Sequence, residues 1–305
     1  MVILDLLAPI FALIALGALL QRTGLLGTEM IPPLNRLLYW MGLPVVVFYS
    51  LAVAEPDSGA YGPLLRVLVL ATGVSVALAW VWSWLLRMPR KGRGTFVQAA
   101  FRGNLSFIGL PLLLTVPGVP TAPAMMAMAP MLILYNVIAV TVLLASQPGD
   151  ERGRWRPILR EIVRNPIILA SLAGAVWHEA GWRLPTAVEL TLRSLAQMTL
   201  PLALLCIGAA LLTVPLRGNR RIATVAAVHK VALSPLIGYG IGRAFQVDPP
   251  TLLAALLCLA CPTAAVSYTM ARQFDGDEAM AATAVVLSAV LSAPALAVVL
   301  AWFAG

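Results

Sequence analysis

The chain is a succession of long apolar stretches separated by short polar breaks. Ten apolar runs lie near Val2–Leu20, Pro33–Ala54, Pro63–Leu86, Thr95–Val116, Ala122–Ala145, Ile158–His178, Ala187–Thr213, Ile222–Phe245, Thr251–Met270 and Ala279–Phe303. Each is close to the ~20 residues that a helix needs to cross the hydrocarbon core of a bilayer. The pattern predicts an all-α membrane protein of ten transmembrane helices. The connections are too short to hold a separate soluble domain. The longest hydrophilic link, Gln147 to Arg164, separates a first five-helix unit (1–146) from a second (158–305), with 147–157 as the link.

Composition supports this reading. Hydrophobic residues make up 60% of the chain and charged residues 11%, against about 25% charged in a soluble domain. The net charge is +8. The basic residues cluster between apolar runs and are not interleaved with aromatics, so orientation and anionic lipid headgroups account for them and nucleic acid does not. Cys206, Cys258 and Cys261 lie within apolar runs and have no metal-site spacing, and the chain has only two histidines. No metal or cofactor is expected. The N-terminus lacks a basic leader and carries Asp5, so no signal peptide is expected.

The two halves resemble each other. Pro9, Gly17, Gly24, Arg36 and Pro44 each have an identical residue 157 positions later, at Pro166, Gly174, Gly181, Arg193 and Pro201. Ile10, Ala18, Leu38 and Leu43 match in the same register. An internal repeat in a membrane protein is a mark of secondary transporters, whose substrate site lies between the copies.

Charge then sets the orientation. With the N-terminus outside, the inner loops hold Arg22, Arg36, Arg87, Arg90, Lys91, Arg93, Arg152, Arg154, Arg156, Arg160, Arg164, Arg217, Arg220, Arg221 and Arg272. The outer side holds Arg66, Arg183, Arg193 and Arg243. The positive-inside rule therefore places both termini outside, which in a bacterial inner (plasma) membrane is the periplasm. Five spans per unit make the second copy enter from the opposite face, so the repeat is inverted.

Spans four and nine are irregular. Arg102-Gly103-Asn104 sits near the middle of span four, where glycine and asparagine are poor helix formers and arginine is costly in lipid. In span nine Pro262 lacks an amide donor and disfavours helix at Cys261. Gly103 and Pro262 are 159 apart, two residues off the repeat register. Both units thus carry a break at an equivalent place. Broken helices expose unpaired amides and carbonyls, tolerated at that depth only around a cavity. Two breaks crossing at the midplane would present positive helix ends to an anion such as a carboxylate.

The stretch Arg102-Gly103-Asn104-Leu105-Ser106-Phe107-Ile108-Gly109-Leu110-Pro111-Leu112 resembles the fourth-span signature of the auxin efflux carrier family. That family includes the plant PIN auxin exporters and bacterial permeases for malate or malonate. Asn165-Pro166-Ile167-Ile168, His229-Lys230, Cys261-Pro262-Thr263 through Tyr268, and Met270-Ala271-Arg272-Gln273 are also similar. The resemblance covers the whole chain. It implies ten spans in two inverted five-helix repeats, with spans four and nine crossing at the substrate site. The family's crossover asparagine falls on Asn104 and its ninth-span proline on Pro262. Plant members often have proline where this chain has Gly103, and the short central link is that of a bacterial member. The resemblance also implies a homodimer through the scaffold.

The candidate substrate-binding residues are Arg102, Gly103, Asn104 and Ser106 of span four, Asn136 of span five, Lys230 of span eight, and Pro262, Thr263 and Ser267 of span nine. Arg102 either binds a carboxylate with its planar fork or is a buried charge held by backbone carbonyls. Lys230, too deep to snorkel easily, either neutralises carbonyls at the crossover, meets an anionic substrate or reaches the inner interface. Asn136 with Tyr135, and Ser267 with Tyr268, either line the pocket or bond helix to helix. His229 and the methionines Met125, Met126, Met128 and Met131 are expected to be structural.

The function expected is a permease that moves a small organic anion by alternating access, as efflux or uniport driven by membrane potential. No acid sits at mid-membrane. The alternative, a sodium- or proton-coupled carrier on a related crossed-helix fold, needs buried acids near the crossover. An intramembrane enzyme needs a nucleophile–base pair or a metal site, and neither is present in the sequence. Spans one, two, six and seven are expected to form a scaffold, and spans three to five and eight to ten a moving unit.

Overall fold

The computed structural model describes residues 2–54, 59–147, 163–213 and 218–303. The 147–157 link beyond Gln147, Arg152, Arg154, Arg156, Arg160 and Arg217 lie outside the described residues, as do residues 158–162 of the expected sixth span. Twelve helices form among the described residues. They are α1 (Val2–Arg22), α2 (Ile31–Ala52), α3 (Tyr61–Leu85), α4 (Arg90–Phe101), α5 (Leu105–Thr115), α6 (Thr121–Ala145), α7 (Pro166–Glu179), α8 (Thr186–Thr213), α9 (Arg220–Ala244), α10 (Pro249–Ala260), α11 (Val266–Gln273) and α12 (Glu278–Phe303). Six of them, α2, α3, α6, α8, α9 and α12, are long and apolar enough to cross a membrane.

Local chemistry fixes the helix starts and stops. Asn165, Asn219 and Asp248 cap α7, α9 and α10, their side chains accepting amides of the first turn. Gly24 and Gly181, equivalent in the repeat, both have positive φ (+79° and +64°) just beyond α1 and α7. That conformation stops a helix and suits glycine. α4 begins at Arg90, five residues before the apolar run, so Arg90–Arg93 form its first turn. Short π-helical turns occur at Leu38–Gly42 in α2, at Leu105–Gly109 opening α5, and at His229–Leu233 in α9.

The helices pack in two groups. α1 lies against α8, and α2 against α7 and α8. In the second group α3 packs on α4, α6, α9 and α10, and α12 on α9, α10 and α11. One continuous apolar core joins most of the second group and reaches Leu43, Val46, Val47 and Leu51 of α2. Leu38, Ala203 and Cys206 form a smaller cluster between α2 and α8.

Contacts recur in repeat-related pairs. A Cβ on Gly17 would lie 2.1 Å from the Leu205 carbonyl oxygen, and one on its equivalent Gly174 would lie 3.1 Å from the Phe48 carbonyl oxygen. Leu205 and Phe48 are themselves 157 positions apart. Equivalent residues also touch each other. A Cβ on Gly42 would meet the Thr199 side chain at 2.8 Å, and, two residues off that register, the Ser75 and Ser234 hydroxyls lie 2.8 Å apart.

Candidate functional site

The fourth and ninth apolar runs are both interrupted, at the places that the glycine, asparagine and proline predict. Helix α4 stops at Phe101, and Arg102 is extended (φ −77°, ψ 97°). Helix α10 stops at Ala260, and Cys261 is extended (φ −56°, ψ 141°). The two breaks lie antiparallel, with Gly103 opposite Thr263. The Asn104 amide donates to the Pro262 carbonyl at 2.8 Å, and the Ala264 amide to the Arg102 carbonyl at 2.9 Å. Each broken backbone thus supplies the partner that the other lacks. Thr263 reinforces the junction: its hydroxyl donates to the Ala99 carbonyl at 2.8 Å, and its amide to the Ser288 hydroxyl at 2.9 Å.

The backbones meet at Gly103 because no side chain intervenes. A Cβ there would lie 3.1 Å from Lys230 Cε and 3.4 Å from the Cys258 carbonyl oxygen. Beyond the break, Asn104 starts α5. Its Oδ1 accepts the Phe107 amide at 3.2 Å, and its carbonyl accepts the amides of Ile108 and Gly109. The amides of Leu105 and Ser106 open this helix, where no preceding turn supplies acceptors.

A cavity of about 890 Å³ surrounds the crossing, within the size range of small-molecule sites. Arg102, Gly103, Asn104, Ser106, Asn136, Pro262 and Thr263 all line it, as does Tyr135. Arg102 is buried, and its guanidinium donates to Asn136 Oδ1 and to the Met270 sulfur. The Tyr135 ring packs edge-on against Phe101, with centroids 5.7 Å apart. Among the residues whose side chains are described, which leaves out Asp5, no carboxylate is buried or lines the cavity.

Two candidates lie off the cavity. Lys230 is fully buried, and its ammonium donates to the Leu259 carbonyl at the end of α10. It thus reaches a carbonyl beside the crossover and does not line the cavity. Ser267 is buried in the first turn of α11, and its hydroxyl has no hydrogen-bond partner. Its place in the helix turns it away, whereas Ala264, Ala265, Val266 and Thr269 line the space.

The structure also brings in residues that the pattern of spans does not single out. Asn35, Arg36, Tyr39 and Trp40 of α2, Arg164 and Asn165 before α7, and Cys206, Ile207 and Ala210 of α8 line the cavity from the other helix group. Arg36 and Arg164 are exposed. Asn165 Oδ1 caps α7 by accepting the amides of Ile167 and Ile168. The repeat match at Arg36 and the Asn165-Pro166 motif mark these positions in the sequence, but only tertiary packing brings them to the crossing. The cavity therefore lies between the two helix groups.

His229 Nε2 lies 2.8 Å from the Ser75 hydroxyl, away from the cavity. Met125, Met128 and Met131 are buried core residues. All three cysteines are free and buried.

The chain is similar in sequence to known proteins. The sequence pattern of the family described as "Membrane transport protein" matches residues 2–300. An uncharacterized transporter of Methanothermobacter thermautotrophicus is 25% identical over 93% of this chain and 92% of its own length. A Rhizobium meliloti protein, provisionally named a malonate transporter, is 24% identical over 95% of this chain and 92% of its own. An uncharacterized transporter of Methanocaldococcus jannaschii is 20% identical over 96% of both chains. With a match along nearly its whole length, the chain belongs to the membrane transport protein family, that of the auxin efflux carriers, and is a multi-pass membrane transporter of a small molecule and not an enzyme.

Proposed function

We propose that this protein moves a small organic anion, of the carboxylate class, by alternating access at the crossing of its two broken helices. The carrying observation is the cavity at that crossing, where the buried Arg102 and the start of α5 line a space without carboxylates among the described residues. A planar guanidinium and open helix amides both favour a carboxylate. The name given to the Rhizobium meliloti relative fits the same substrate class.

In this reading α4 with α5, and α10 with α11, each make one membrane crossing, and ten spans form two inverted five-helix repeats. The paired contacts of Gly17 with Leu205 and Gly174 with Phe48, and the self-contact Gly42–Thr199, support an approximate two-fold axis, and the contacts Ser75–Ser234 and Gly103–Thr263, two and three residues off that register, fit it. The helix group α1, α2, α7 and α8 is the scaffold, and the other group moves against it. The cavity lies between them, where relative motion would open it to one side and then the other. Positive-inside orientation puts Arg36 and Arg164 on the cytoplasmic side, so the cavity faces the cytoplasm. An organic anion leaving an inside-negative cell gains about 2.3 kcal/mol per charge per 100 mV. Efflux or uniport then needs no coupled ion.

A thermal-shift screen of the purified protein against mono- and dicarboxylates tests the substrate class. The account predicts that at least one carboxylate raises Tm, and that Asn104→Ala and Arg102→Gln abolish that rise. A panel without effect would contradict the substrate class; undiminished stabilisation in both variants would contradict the site.

A further inference from the structure

We propose that Lys230 is a built-in cation: its ammonium fills a carbonyl site made by the break in span nine, and stands where a carrier of this design would otherwise need an inorganic monovalent ion. The inference rests on the crossing of the two broken helices, and its test does not involve the organic substrate.

The break leaves two carbonyls without their helical donors. In a continuous helix the Cys258 oxygen would accept the amide of residue 262 and the Leu259 oxygen that of residue 263. Residue 262 is proline and has no amide hydrogen. The Thr263 amide donates instead to the Ser288 hydroxyl at 2.9 Å. Both oxygens belong to the last turn of α10, where the helix dipole concentrates negative partial charge. Both residues are buried, at 1% and 2% exposure, so bulk water cannot serve them.

Lys230 answers this deficit. Its Nζ donates to the Leu259 oxygen, and no part of the residue is exposed. A point built off Gly103 lies 3.3 Å from Lys230 Nζ and 3.4 Å from the Cys258 oxygen, so the ammonium and the second carbonyl flank the same spot. The side chain comes from α9, within the π-helical turn His229–Leu233. Backbone oxygens at a broken helix are ligands of the kind that alkali cations take in membranes. A tethered ammonium meets the same need and cannot leave, so the site does not exchange ions during transport.

The test is melting of the purified protein in choline, sodium, potassium and ethylammonium salts at equal ionic strength. The wild type should melt at the same temperature in all four. Lys230→Ala, purified in ethylammonium, should lose about 5 °C in choline, from the loss of one buried charged hydrogen bond. It should recover in ethylammonium or sodium, which fit the vacated space where choline does not. Lys230→Met, which fills the space without charge, should melt low in every salt. Wild-type protein stabilised by sodium over choline would overturn the proposal, because the site would then still take an ion. So would Lys230→Ala that melts alike in all four salts, or Lys230→Met as stable as wild type.

Discussion

Gly103 is the residue on which the crossing turns. Any side chain there would push on Lys230, which is fully buried and tied to Leu259, so the lysine has little room to yield. Gly103→Ala is expected to cost about 1–3 kcal/mol, the range for overpacking a tight interior, and to lower flux at unchanged expression. Chemical-denaturant melting in detergent and a flux assay on the same preparation check this. A variant as stable and active as wild type would mean that the junction is looser than the geometry indicates. At this scale much is legible in the sequence. Arg-Gly-Asn in mid-span and proline in mid-span announce their own breaks, because each conflicts with helix geometry locally. Side-chain direction is less legible. Ser267 and Thr269 sit on one short helix, and only Thr269 lines the cavity. The rotation of α11 is set by the antiparallel pairing of Ala264 with Arg102, a contact 162 residues apart in the chain.

At the scale of elements, the pairing of α1 with α8 depends on glycine. A Cβ on Gly208 would lie 1.8 Å from the Ile14 carbonyl oxygen, and one on Gly17 would lie 2.1 Å from that of Leu205. The two backbones are in contact, as small residues allow between membrane helices. Gly208→Val must force the helices apart. The expected result is a loss of several degrees in Tm, or failure to fold, while Gly240→Ala, with nothing within 4 Å of its Cβ, serves as the neutral control. Equal melting of both variants would contradict the close packing. The helices themselves follow from apolar run length, and Gly24 and Gly181 mark two helix ends by type. The π-helical turns and the entry of Asn35, Arg36 and Arg164 into the cavity do not follow from the sequence. The basic residues are accounted for there by membrane orientation, and that account leaves unseen a second place beside the site, which comes from how α2 and α7 pack.

At the scale of the molecule, the internal repeat and the charge bias underlie the proposed topology. In that proposal an inverted pair of five-span units puts residues equivalent in sequence on opposite faces. Arg36 and Arg193 should therefore differ in access. Single cysteines at the two positions, in a background where Cys206, Cys258 and Cys261 are replaced, should label from opposite sides of intact cells and inverted vesicles. Both termini should label from outside. Labelling of both positions from one side would rule out the inverted arrangement.

Membrane potential is proposed to drive transport at the crossing, and flux shows this without intermediaries: that of a carboxylate that stabilises the protein, in proteoliposomes whose potential is clamped by a potassium gradient and valinomycin, with sodium absent. The account predicts that the anion moves toward the positive side, that reversing the potential reverses the flux, and that Arg102→Gln abolishes it. Flux indifferent to potential, or flux that appears only with an imposed sodium or proton gradient, would contradict it.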